Sequence, residues 1–277
     1  MKQFIFMIFC IGSLYSCTNP DEQATPIFSR AEKNFQKGNY ALAKLQIDSI
    51  RTLYPKAFQT RRAAVALMQE IELSEQDQNL SYLDSLEKAT LPIAEELTTQ
   101  FILEKNEEYQ ETGNYFHPSQ VNYSIATSHL KAQVSEEGEL LLTSLYSGNT
   151  PIDHKSIRLS KGNQIAESTI ATDVYTTQLN GKHIEMADYR ATDNAALIQL
   201  LTDTTDEKTP VQFTFLGKKA ISIPLKQADI QAIRSLKQLS NVLSTLRELR
   251  KHREEALLKI RFIERKKAEF TQVKANN

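Results

Sequence analysis

The period of the apolar residues changes twice along this 277-residue chain, and those two changes restrict its fold more than any motif does. Between Ala57 and Tyr109 the apolar positions recur at three- and four-residue steps: Ala64, Leu67, Met68 and Ile71, then Leu80, Leu83 and Leu86. That spacing places them along one face of a helix. From Gly113 to Gly217 the spacing becomes two, and glycines punctuate the segment, as in strands joined by tight turns. From Gln227 to Phe270 there is neither glycine nor proline. Ile233, Leu236, Leu239, Leu243, Leu246, Leu257 and Ile260 lie near heptad spacing there, interrupted by Arg250 and Arg253, which predicts one long helix needing a partner. Blocks of helix, strand and helix, as opposed to alternation, predict an α+β fold. Its expected form is an N-terminal helical hairpin and an antiparallel helical stalk with an inserted antiparallel β domain.

Within the middle block, strands are expected at 121–125, 130–134, 139–146, 156–159, 165–170, 174–179, 183–186, 211–216 and 220–224. Asn180-Gly181 is a strong hairpin signal, because both central residues of the favoured turn need positive φ. A short helix is expected over Asp193–Leu201, capped by Thr192 or Asp193. In the first helical block Pro92 should break or kink the helix near Leu91, leaving a shorter segment over Ile93–Glu111. The boundaries that follow are 1–16, 17–26, 27–112, 113–225 and 226–277.

Charge selects the partner of the long C-terminal helix. Residues 70–111 carry twelve acidic and two basic side chains, whereas 247–267 carry nine basic and four acidic. An acidic arm lying beside a basic arm is the economical arrangement, the alternatives being that the basic helix touches an anionic lipid surface or forms a homodimer. Each exposed pair contributes only tenths of a kcal/mol, so the apolar stripe supplies the stability.

The N-terminus, MKQFIFMIFCIGSLYSC, has a charged start at Lys2 and an apolar stretch from Phe4 to Leu14, too short to span a membrane. Its ending, Leu14-Tyr15-Ser16-Cys17, resembles the lipobox of bacterial lipoproteins. The resemblance implies that residues 1–16 are a signal peptide and that Cys17 carries lipid. It also implies a membrane anchor, on the outer membrane because Thr18 follows the cysteine where an aspartate would mark inner-membrane retention. With Cys10 removed and Cys17 lipidated, no thiol would remain for a disulfide or a metal. Residues 17–26 are expected to form a polar tether, and Asp21 and Glu22 resemble the export signal of surface lipoproteins in Bacteroides-like bacteria. Ala31, Gly38, Tyr40, Ala43, Ile47, Ile50 and Pro55 fall at the spacings of one tetratricopeptide helix pair, which the stretch from Ile27 to Pro55 resembles. The repeat does not recur, since a shift of roughly 34 residues puts Asp77 where Ala43 stood.

Catalytic patterns are missing from the sequence. The five histidines, His117, His129, His154, His183 and His252, form no HxxxH or HExxH pair. His129, His154 and His183 could converge inside the β domain, but strand and loop histidines are ordinarily surface residues. No GxSxG elbow, P-loop or GxGxxG occurs. Asp153, Asp173, Glu185 and Asp188 are the carboxylates that a hydrolase would have to bring together across a cleft. After removal of 1–16, 32 basic residues face 34 acidic ones, which disfavours nucleic acid as a general partner.

The expectation is therefore a lipid-anchored envelope scaffold or interaction protein without catalytic activity, cofactor or metal. The alternatives are a surface glycan-binding lipoprotein and an envelope hydrolase. A protein partner is expected at Tyr40, Tyr123, Tyr146 and Tyr175, and a glycan would use the tyrosines of the β domain.

Overall fold

The computed structural model describes residues 19–203 and 209–275, with side chains to Phe270. Cys17 and the signal segment lie outside the described residues. The class is α+β. Within the described residues, 19–82 with 254–275 form one compact unit, and 83–253 form another.

The first unit is helical. Helix α1 spans Pro20–Gln36, α2 Tyr40–Leu53, and α3 Phe58–Thr98, which continues into the second unit. The stretch 20–26, expected to be tether, is the start of α1. Asn19 caps it by accepting from the Asp21 N–H at 3.1 Å, and Pro20 occupies the first turn, where its missing N–H costs nothing. Asp21 is bound into the fold: its Oδ1 accepts from the Thr60 N–H at 2.8 Å and from the Thr60 hydroxyl at 2.9 Å, in the first turn of α3. A carboxylate at a helix N-terminus is favourably placed against the helix dipole. Gly38, at φ +74°, makes the turn between α1 and α2. Ala24, Ala31, Ala43, Ile47, Ile50, Ala57, Ala64, Leu67 and Ile71 form the core. Small residues on facing helices let the backbones approach closely, and Lys44 pairs with Glu75 across α2 and α3. Lys267 of the C-terminal helix pairs with Glu70 at 3.5 Å.

Pro92 does not end α3. It lacks the N–H that would bond the Lys88 carbonyl, yet the helix runs on to Thr98, with Ala94 buried and Leu97 packed against the core of the second unit. Burial outweighs one missing bond there.

The second unit contains two antiparallel sheets. Strands β1 (Ile102–Glu104), β2 (Asn114–Phe116), β3 (His129–Ser135), β4 (Leu140–Gly148), β7 (Val174–Leu179) and β8 (Lys182–Arg190) form a six-stranded sheet in the order β1-β2-β3-β4-β8-β7. Strands β5 (Ser156–Lys161), β6 (Gln164–Glu167), β9 (Val211–Leu216) and β10 (Ile221–Pro224) form the other, ordered β10-β9-β5-β6. The first strand thus falls inside the stretch 93–111 expected to be helical. Residues 121–125, expected to be a strand, are instead the end of a one-turn helix α4 (Pro118–Val121) and the turns after it. Pro118 fits the first turn of a helix, and the His117 ring accepts from the Ser119 N–H at 3.2 Å, so local capping overrides the alternating pattern. Helix α5 spans Ala195–Thr202, two residues later than expected, because Ala191–Asp193 form a 3-10 turn of their own. Asn194, not Thr192 or Asp193, stands at its N-cap, and the Asn194 side chain accepts from the Thr169 N–H at 2.7 Å. Asn180 and Gly181, at φ +51° and +76°, make the β7–β8 hairpin turn.

Helix α6 runs from Gln227 to Ala275. Its Ile230, Ile233, Leu236 and Leu239 join one core with Leu142, Tyr189, Ile157, Leu159, Phe213 and Phe215 from the two sheets. Further along, Arg250 donates to Glu87 at 3.1 Å and Arg253 to Asp84 at 2.9 Å, so α6 lies beside α3 in this unit. Gly138, in the β3–β4 turn at φ +83°, sits where a Cβ would fall 2.3 Å from the Ser244 nitrogen of α6. The turn is held there by the Ser240 hydroxyl, which donates to the Gly138 carbonyl at 2.7 Å.

Candidate functional site

Two features stand out, one in each unit. In the helical unit a cleft of about 420 Å³ opens between α2 and α3. The α3 wall is Phe58, Arg61, Arg62, Val65, Met68 and Gln69, residues spaced three and four apart on a single face. The α2 wall is Ile47, Asp48, Ile50 and Arg51. Ile47 and Ile50 are buried and form the floor, whereas Phe58 is 71% exposed and Val65 47%. Exposed large apolar side chains gathered in a concave site mark an interaction surface. Its polar rim is mainly cationic. Arg51 pairs with Asp48 at 3.4 Å, and Arg61 donates to the Pro55 carbonyl at 2.7 Å. Arg62 lies 5.9 Å over the Phe270 ring. Gln69, on the wall, holds a buried Oε1 without a hydrogen-bond partner.

In the β unit the central strands bury a chain of polar groups. Alternation puts Leu142, Ser144 and Tyr146 of β4 on the face toward the second sheet. The register pairs Ser144 with Ala187 and Tyr146 with Glu185, so Ser144 and Glu185 are diagonal neighbours on that face. His154, from the loop between β4 and β5, bridges them: its Nδ1 is 2.8 Å from Glu185 Oε2 and its Nε2 is 2.8 Å from Ser144 Oγ.

The protonation states follow from the donors. Burial raises the Glu185 carboxyl, but N–H groups from His154, Ile152 and Asp153, with the His154 ring, together hold it below the usual carboxylate range. An ionised carboxylate only accepts, so His154 Nδ1 carries the proton. Burial lowers the imidazole from its ordinary value, which leaves the ring neutral and Nε2 an acceptor for the Ser144 hydroxyl. Nearby, Tyr189 is pushed up to about 12, foremost by burial, and its hydroxyl stands near Ser144 and Ser168 without a bonding partner.

A serine, histidine and carboxylate joined in this order is also the connectivity of an acyl-transfer triad. Here Ser144 and His154 have no exposed surface, and Glu185 is 1% exposed. No substrate carbonyl reaches Ser144 Oγ in this fold. The chain instead fastens the 149–155 loop to β8. The same loop is held from its other side: Lys218 N–H donates to the Ile152 carbonyl at 2.7 Å, and Lys218 pairs with Asp153 at 2.6 Å. Gly217 permits that approach, since a Cβ there would lie 2.1 Å from the Ile152 oxygen.

The residues singled out from sequence do not converge. Tyr40 is half-buried, packs on Phe35 at 5.9 Å and accepts from Gln78 at 3.1 Å. Tyr123 bonds to buried Asp229, which together with burial raises its phenol, and stacks edge-on with His129 at 4.7 Å. Tyr146 is a core residue, against Phe215 at 5.6 Å with its hydroxyl bonded to the Thr150 carbonyl, and offers no contact surface. Strand alternation could not say which face was buried. Tyr175 alone of the four is well exposed, at 60%. His129, His154 and His183 have separate partners: Thr127, Glu185 and Gln178. Among the described residues no three histidine, cysteine or acidic side chains cluster as metal ligands would. Asp153 faces Lys218, Asp188 accepts from Thr143 at 2.6 Å, Glu185 is sealed in the core, and Asp173 is exposed. No helix among the described residues is long and apolar enough to cross a membrane.

No protein-family model, curated protein or solved structure matches this chain.

Proposed function

We propose that this chain is a lipid-anchored protein of a bacterial cell envelope, held at the outer membrane through Cys17, which serves as a scaffold for a protein partner and does no catalysis. The observation that carries the reading is the α2–α3 cleft, with an apolar floor and the exposed Phe58 and Val65 at its wall. A surface of that kind is costly to leave in water and gains by being covered. The sequence around Cys17 supplies the anchor, because two or more acyl chains give stable membrane attachment. The sealed position of Ser144 and His154 favours a scaffold over a hydrolase.

A photo-reactive amino acid at position 58, in otherwise intact cells, tests the reading directly. A discrete protein adduct, lost when the same group is moved to Asp173 in the other unit, is the expected result. No adduct at position 58 would overturn the scaffold reading. In the same cells Cys17→Ser should move the protein out of the outer-membrane fraction, and persistence there would overturn the lipid anchor.

A further inference from the structure

We infer that the occupant of the α2–α3 cleft is an acidic amphipathic helix presented by a partner protein. This inference rests on the scaffold reading above and adds the chemistry of the partner. The cleft is the unfilled side of a helix pair. Phe58, Arg61, Arg62, Val65, Met68 and Gln69 repeat at helical spacing along α3, so the wall is a ridge-and-groove surface of the kind into which another helix packs. A helix laid into it would seat apolar residues three and four apart over Ile47, Ile50, Val65 and Met68.

Charge sets the sign of that helix. Arg51, Arg61 and Arg62 face the cleft against a single carboxylate, Asp48. Arg51 and Asp48 are both well exposed, so their pairing is weak and leaves Arg51 able to take a second carboxylate. A helix with glutamate or aspartate flanking its apolar stripe would be drawn to this rim, and a lysine-flanked one would be repelled. A fatty acid also joins an apolar body to a carboxylate, but three arginines spread along the rim suit the several carboxylates of a helix better than the single one of a fatty acid.

The test uses the full chain purified from membranes and two fluorescein-labelled synthetic helical peptides. They share one leucine stripe, flanked by glutamate in one and by lysine in the other. Fluorescence anisotropy should show the glutamate peptide binding at least about tenfold more tightly at low salt, with the advantage shrinking as salt is raised. Arg61→Glu with Arg62→Glu should cost the glutamate peptide about tenfold or more and improve the lysine peptide, while Val65→Arg, at an exposed wall position, should weaken both. Circular dichroism of each variant checks that the helices remain. Equal affinity for the two peptides, or indifference to the arginine reversals, overturns the inference. Displacement of the glutamate peptide by palmitate at equal concentration also overturns it, and assigns the cleft to an acyl chain. The two proposals fail separately. An adduct from position 58 to a basic segment sinks the acidic helix and keeps the scaffold, whereas no adduct sinks the scaffold itself.

Discussion

The helical unit leaves apolar side chains open to solvent beside its cleft, whereas the β unit shuts ionisable groups inside its core. Phe58 and Val65 stand exposed on α3, while Glu185, His154 and Ser144 sit between two sheets with essentially no exposed surface. In a folded chain the opposite partition is the default, so each exception needs a reason. In the β unit the reason lies within the fold, because every charge and lone pair on Glu185 meets a donor from the loop it fastens. In the helical unit nothing among the described residues fills the cleft, which is the observation behind the proposed partner.

Substitutions can break this contrast, and the largest effect belongs to the β unit. Glu185→Ala removes the acceptor for three backbone N–H groups and one ring N–H. It should lower unfolding stability by about 3–5 kcal/mol in urea titrations, as for other broken buried pairs. A cost below about 1 kcal/mol would mean that the loop is held chiefly by Gly217 and Lys218.

Ile50→Ala cuts the cleft floor itself. Ile50 is fully buried, so the expected loss is about 2–4 kcal/mol in the same assay. An unchanged midpoint would show that the helical core is loose enough to collapse into the space.

Acid should probe the sealed chain next. His154 is held below its ordinary value of 6.5, so the unfolded chain takes up that proton first. Stability is then complete above about pH 6.5 and falls as pH drops below it, by at most about 1.4 kcal/mol per pH unit for one proton. His117 and His129 are lowered as well and share the slope. Glu185 is depressed too, so its contribution is intact above about 4.5 and is lost as pH falls through its lower folded value. His154→Gln should flatten the slope just below pH 6.5, and an unaltered profile would place the proton uptake on the other two histidines.

Ser144→Ala should cost only about 1 kcal/mol, since it removes one hydroxyl and leaves one ring nitrogen unpaired. Smallest of all, Phe58→Ser should change stability by less than about 0.5 kcal/mol and yet lower the yield of a crosslink placed at Val65. A large loss of stability there would reclassify Phe58 as a structural residue.

Much of the fold was legible because long elements repeat one period many times. The Gly- and Pro-free stretch after Gln227 is α6, and Asn180-Gly181 is a hairpin turn. The errors fall where a short local device overrules the period. Asn19 and Pro20 start a helix in a stretch that reads as polar tether, and His117 with Pro118 nucleates a turn where alternation suggests a strand. The site was less legible. His154 and Glu185 were visible as chemistry-bearing residues, but Ser144 was not. Its one signal is a hydroxyl at a core-facing position between Leu142 and Tyr146. The cleft stripe of Phe58, Arg61, Arg62 and Val65 lies beside the core stripe of Ala64, Leu67 and Ile71 on the same helix, and periodicity reports only the stronger.

The participation of α6 in the β-unit core has a consequence for how the protein is made. The buried cluster from Ala24 to Ile71 is contained in the first 71 residues, although its unit also takes in residues 254–275. The β unit must wait, because β4 skips three intervening strands to pair with β8 and the core closes only with Ile230 to Leu239. During synthesis its early hairpins would stand with Leu142, Leu159 and Phe213 uncovered until the last helix arrives, which is the interval in which chains aggregate. A chain stopped at Leu225 lacks the α6 segment of both units and should lose the β unit to digestion before the Ala24–Ile71 core, so the final fifty residues act as the closing step for a unit begun more than a hundred residues earlier.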